Sequence, residues 1–154
     1  MTVMGGEQEK KPKLEKAVPF FWVSNIEASV KYYVEGLGFE MKSEWIDAGK
    51  LQWCWLDNGG ASLMLQEFTR VGDQRNREPV KRGEGVSICF ICKDALTVYH
   101  DMISRGIAAS EPFVGNRMWV TGVTDPDGYI LYFESYTDLP EETRYSDWAS
   151  ANQN

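Results

Sequence analysis

Histidine and cysteine are scarce in this chain. The one histidine, His100, lies in TVYHDMISRG, a stretch that reads as a helix with the imidazole at its surface rather than as a ligand site. Cysteine occurs three times, an odd count that suits a reducing compartment without structural disulfides. Two of them, Cys89 and Cys92, form a C-x-x-C within GVSICFIC, a strand-like run. On a strand that spacing sends the sulfurs to opposite faces, whereas a redox or zinc motif needs both on one side. Long apolar runs are also missing: nothing approaches the ~18 residues of a membrane span, and MTVMGGEQEKKPKLEK is no signal peptide. A cytoplasmic location is expected. Positive charge is in deficit, 16 Lys+Arg against 23 Asp+Glu, for a net charge of −7. That argues against nucleic acid or an anionic membrane as partner and is compatible with a cationic ligand.

Aromatic residues, by contrast, make up 13% of the chain and include six tryptophans. They fit either a well-filled core or an aromatic-lined pocket. At 154 residues the chain is long enough for one domain with a real core. Its periodicity gives strand, helix and three strands, twice over. The first unit has a strand at 17–24, then a helix capped by Asn25, carrying Ile26, Val30, Tyr33 and Leu37, and ended by Gly38. Strands follow at 39–48, 51–57 and 61–68. The pattern restarts at GVSICFIC (85–92), with a helix capped by Asp94, carrying Ala95, Val98, Met102 and Ile103, and ended by Gly106. Its strands fall at IAASEPF, RMWVTGV and YILYFES. Asp57-Asn58-Gly59-Gly60 aligns with Asp125-Pro126-Asp127-Gly128, both turn sequences, and the same offset pairs Met64 with Tyr132 and Gln66 with Glu134. Residues 1–16 read as a disordered tail, 17–135 as one domain with modules 17–68 and 85–135, 69–84 as a mobile linker and 136–154 as a C-terminal tail in which DLPEET starts a short helix.

FWVSNIEASVKYYVEGLGFE, WCWLDNGGASLMLQE, FICKDALTVYHDMISRG and DPDGYILYFES, in that order, resemble the glyoxalase, bleomycin-resistance and extradiol-dioxygenase superfamily over about residues 17–135. The resemblance implies an α+β fold in which two βαβββ modules form a cup-shaped mixed sheet with helices on its outer face. Strand alternation then sorts the side chains. Leu63, Leu65, Val86, Ile88, Phe90, Cys92, Tyr129, Leu131 and Phe133 turn to the helices. Phe20, Trp22, Ser62, Met64, Gln66, Ser87, Cys89, Ile130, Tyr132 and Glu134 face the cup as candidate ligand-binding residues, along with Val18 and Ile91. Trp53, Trp55 and Trp119 stay open to either side.

Metal-using relatives, the resemblance implies, place one His, Glu or Gln ligand on each of four strands. Those places fall here at Val18, Met64, Ser87 and Tyr132, which do not make a site for a catalytic divalent cation. Neither metal nor other cofactor is expected. The leading expectation is a metal-free binding protein of the bleomycin-resistance kind, which sequesters a small aromatic antibiotic or metabolite, neutral or cationic, with Glu134 as partner for a cation. The alternatives are a superfamily enzyme (a lyase, isomerase or dioxygenase) using Glu134 and Tyr132 or an unrecognised metal, and a partner-binding module using Trp148. A homodimer with two equivalent cups is expected, because superfamily members complete each cup across a two-fold axis. Whether modules pair within one chain or between chains is open, as is whether the cup is filled by its own side chains.

Overall fold

Capping residues and turn glycines divide the chain much as the pattern predicts. The computed structural model describes residues 11–67 and 82–153, so most of the expected linker 69–84, and residues 1–10 of the expected tail, lie outside the described residues. The first module runs β1 (Phe20–Val23), α1 (Ile26–Lys31) with a π-helical turn (Tyr32–Gly36), β2 (Glu40–Asp47), β3 (Lys50–Asn58) and β4 (Ala61–Glu67). The second runs β5 (Ser87–Ile91), α2 (Ala95–Ser104), β6 (Phe113–Gly115), β7 (Met118–Thr124) and β8 (Ile130–Tyr136), followed by α3 (Tyr145–Ala151). Each module forms a four-stranded mixed sheet, β1-β4-β3-β2 and β5-β8-β7-β6, with the first pair parallel and the others antiparallel.

Both helix starts are built as expected. Asn25 accepts from the Ala28 N–H, and Asp94 accepts from the Leu96 and Thr97 N–H groups, satisfying donors that have no partner within the helix. Buried Glu67 adds to the first start: it accepts from the Ile26 N–H at 3.0 Å and pairs with Lys50 at 2.6 Å.

One core serves both modules. Phe21, Val23, Tyr33, Phe39, Leu63 and Leu65 share it with Met102, Val123, Leu131 and Phe133. The Phe21 ring stacks on Tyr129 at 4.2 Å, and Phe90 meets Phe39 at 5.9 Å and Phe133 at 5.5 Å. Polar contacts lock the same junction. Tyr33 donates to Asp125 Oδ2 at 2.8 Å, Tyr129 donates to the Trp22 carbonyl at 2.9 Å, and the Ser24 N–H donates to Asp127. The side chains sorted to the helices on β4, β5 and β8 are the ones found there; the opposite faces of both sheets point away from this core.

Several expectations change. Val86 precedes β5 and is 56% exposed instead of packing on the helix, and Ile103 on α2 is 46% exposed. The expected strand at IAASEPF does not form: Pro112 has no N–H to give to a ladder, and β6 begins only after it. DLPEET forms a turn in which Thr143 bonds back to Pro140 and Glu142 has φ 65°, so the helix waits until Tyr145. The C-terminal segment pairs with β6 through Val114 and Phe113, and α3 then lays Tyr145 and Trp148 against buried Trp119. The Trp119 and Trp148 rings meet at 5.8 Å. That contact withdraws Trp148 as an exposed docking residue and settles Trp119 on the helix side. His100 is exposed, as expected, with its Nε2 2.8 Å from the Tyr145 hydroxyl.

Candidate functional site

The open face of the first sheet is set by a two-residue hairpin loop. Gly59 and Gly60 join β3 to β4 with Asn58 opposite Ala61, which places Asp57 opposite Ser62, Trp55 opposite Met64 and Trp53 opposite Gln66. Gly59 takes φ 56°, where glycine avoids the Cβ strain other residues incur. Beyond β4, Phe20 stands beside Met64 and Trp22 beside Gln66. On the other side, Ser43 lies opposite Trp55 and Trp45 opposite Trp53. Directly paired residues share a face, so two rows cross the sheet: Trp45, Trp53, Gln66, Trp22 and Ser43, Trp55, Met64, Phe20. Four of the six tryptophans therefore lie on one face. They are not sealed in: Trp45 is 41% and Phe20 39% exposed, and Trp22, Trp53 and Trp55 are half-buried.

A polar corner finishes this face. Asp57 Oδ1 accepts from the Trp55 indole N–H at 2.7 Å and from Ser62 Oγ at 2.5 Å. These two bonds hold its carboxyl below the usual range. Ser62 Oγ also accepts from Lys16 Nζ, which lies 5.7 Å from the centre of the Trp55 ring. A cavity of about 690 Å3 opens beside it, bordered by Lys16, Pro19, Gly60 and Ser62 and, from the second module, by Cys89 and Ile91.

The second sheet's open face is less aromatic. Ser87, Ile130 and Thr124 form one row, Cys89, Tyr132 and Gly122 the next, and Ile91, Glu134, Val120 and Phe113 a third. A Cβ on Gly122 would meet the Cδ1–Cε1 edge of the Tyr132 ring at 2.9 Å, so the ring approaches the strand closely only because position 122 has no side chain. The Glu134 carboxylate adjoins Cys89, whose thiol is pushed up by burial first and by the Glu134 charge and hydrogen bond second. Ile91 is 70% exposed.

All ten candidate residues thus lie on the two open faces. Phe20, Trp22, Ser62, Met64 and Gln66 gather on the first sheet, and Ser87, Cys89, Ile130, Tyr132 and Glu134 on the second. Sequence reasoning missed Trp45 and Asp57 and left Trp53 and Trp55 undecided. The Gly59-Gly60 loop was the available signal, because a two-residue hairpin fixes which residues face one another. Trp45 had no such signal, since the β2–β3 register shifts between Trp45 and Ile46 and again between Met41 and Ser43.

The four positions that the resemblance implies for metal ligands, Val18, Met64, Ser87 and Tyr132, carry an aliphatic group, a thioether, a hydroxyl and a phenol. Residues directly beside Met64 and Tyr132 across the parallel pairs are Phe20 and Cys89. Among the described residues no three His, Cys, Asp or Glu side chains converge. This donor set does not fit a catalytic divalent cation.

Solved structures share the architecture. The bleomycin-binding protein of bleomycin-producing Streptomyces verticillus, solved with copper(II)-bleomycin, is 18% identical, with a TM-score of 0.62 over 82% of this chain and 100% of that one. TnmS3, an antibiotic binding protein from Streptomyces sp. CB03234, is 18% identical, with a TM-score of 0.60 over the same shares. A putative glyoxalase family protein from Bacillus anthracis is 17% identical, with a TM-score of 0.58, again over 82% and 100%. Among curated proteins none is a recognisable sequence relative. No described helix is long and apolar enough to cross a membrane. The family model of the Glyoxalase/Bleomycin resistance protein/Dioxygenase superfamily matches residues 16–133, and with both βαβββ modules in place the chain belongs to that superfamily.

Proposed function

We propose that this protein binds a planar aromatic small molecule, one carrying a cationic group, and holds it without converting it. The observation that carries the reading is the first sheet's open face, where Trp22, Trp45, Trp53, Trp55 and Phe20 surround Met64 and Gln66. Stacking between such rings and a flat ligand contributes about 0.5–1.5 kcal/mol per pair beyond the burial of area. A few polar groups on an apolar surface then orient the ligand. The bleomycin-binding protein and the antibiotic binding protein TnmS3, which share this fold, support the same class.

The open faces also support a dimer. Phe20, Trp45, Ile91, Phe113, Ile130 and Tyr136 are all large apolar side chains left exposed on them. A second copy closing over each face would cover these groups and enclose the ligand between two sheets, one from each chain.

Titration with a panel of planar cationic antibiotics tests the reading. Tryptophan fluorescence should quench saturably, Trp53→Leu should weaken binding by about tenfold, and the ligand should be recovered unchanged after long incubation. Recovery of a converted product, or quenching indifferent to Trp53, would overturn it.

A further inference from the structure

Lys16 sets its ammonium group in the polar corner at the edge of the first sheet's open face. Its Nζ donates to Ser62 Oγ and stands over the Trp55 ring at 5.7 Å. Behind the hydroxyl lies Asp57, which takes hydrogen bonds from both Ser62 and Trp55 on one oxygen. An aromatic face, a hydroxyl acceptor and a fixed carboxylate around one point make the set of groups that recognises an alkylammonium ion.

The corner and its occupant are held very differently. Trp55, Asp57 and Ser62 sit on β3 and β4, paired residue to residue across the hairpin, and Ser62 is buried. Lys16 belongs to residues 11–17, which are exposed and have no regular structure, and β1 does not begin until Phe20. Removing Lys16 from the corner therefore leaves the sheet intact. The adjoining cavity supplies room for the rest of an incoming molecule beside Gly60, Cys89 and Ile91.

We propose that Trp55, Asp57 and Ser62 form a subsite for a primary alkylammonium group, filled by Lys16 in the free protein and vacated when a ligand's own ammonium displaces it. This deepens the sequestration reading and rests on it for the aromatic part of the ligand. The cation's partner becomes Asp57 on the first sheet, in place of Glu134 on the second. A primary ammonium is favoured over a quaternary one because the occupant donates a hydrogen bond to Ser62, which a quaternary nitrogen cannot do.

The test separates the cation from the aromatic ring. The Trp55 indole N–H, bonded to Asp57, serves as an NMR reporter during titration with n-butylammonium chloride. In Lys16→Met its resonance should shift saturably, with a midpoint about tenfold below wild type if Lys16 fills the corner about nine-tenths of the time. Tetramethylammonium should give no saturable shift, and Asp57→Asn or Ser62→Ala, each in the Lys16→Met background, should abolish the response to butylammonium. No saturable shift in Lys16→Met, or the same midpoint in wild type and Lys16→Met, would overturn the subsite. A parallel arm uses an acridine bearing an aminopropyl chain and its N-acetylated form. If both quench equally, the ammonium subsite is wrong and the aromatic site stands. If neither quenches while butylammonium still titrates Trp55 in Lys16→Met, the subsite stands and the sequestration reading falls.

Discussion

Replacing Tyr33 by Phe removes one oxygen from the junction between modules. The Tyr33 hydroxyl is fully buried and donates to Asp125 Oδ2 at 2.8 Å, while Asp125 Oδ1 takes the Asp127 and Tyr129 N–H groups at 2.9 Å each. The ring itself would stay in place, edge-on to Phe39 at 5.8 Å, so the substitution leaves no large cavity. What it leaves is a buried carboxylate oxygen without its donor. Hydrogen bonds to charged groups contribute about 1.5–3 kcal/mol, and here the expected loss is about 2 kcal/mol. For a chain of this size that lowers Tm by about 4–8 °C. Burial raises the Asp125 pKa, and the Tyr33 bond is the first of the contacts that oppose this rise. A carboxyl whose native pKa lies above its unfolded value binds more protons when folded, so its contribution to stability falls as pH rises through the native pKa. Losing the Tyr33 bond raises that pKa further. The penalty of Tyr33→Phe should therefore be full at neutral pH and shrink as acid protonates Asp125. Urea unfolding at several pH values measures both effects. A penalty below about 0.5 kcal/mol at pH 7, or one that grows toward acid, would refute the account.

The second module offers two further tests. Cys89 is exposed, yet burial and the Glu134 charge raise its pKa, so it should alkylate slowly at neutral pH and faster in Glu134→Gln; peptide mass mapping after timed iodoacetamide treatment checks this, and an unchanged rate would contradict it. Deleting residues 145–154 strips Tyr145 and Trp148 from Trp119, which should cost about 2 kcal/mol and shift tryptophan emission to longer wavelength; a variant with unaltered Tm and spectrum would show that α3 contributes nothing.

Local chemistry carried most of what could be read in advance. Asn25 and Asp94 announced the helices because a capping side chain acts within three residues of itself. Period-two alternation put Leu63, Leu65, Leu131 and Phe133 on the buried face for the same reason of short range. What escaped depended on register or on contacts distant in sequence. Asp57 and Asp125 align as turn residues, but the strand ladder makes Asp57 the counterpart of Thr124. The two carboxylates therefore end on opposite faces, one beside Ser62 and the other under Tyr33. Trp45 reached the open face through irregular pairing of β2, and Trp119 was drawn to the helix side, where it packs with a helix formed by the last residues of the chain.

The π-helical turn at Tyr32–Gly36 explains how two modules of unequal length keep matching sheets. From Asn25 to Gly38 the chain is one residue longer than from Asp94 to Gly106, and a wider helical turn is the form in which a helix absorbs a single inserted residue. The surplus is confined to the helix, so β4 still meets β1 in the register with which β8 meets β5, Met64 beside Phe20 and Tyr132 beside Cys89. In a gene built by tandem duplication, this is a place where one copy can drift in length without disturbing the other. The same bulge carries Tyr33, so the departure from internal symmetry supplies one of the contacts that fasten the two halves together.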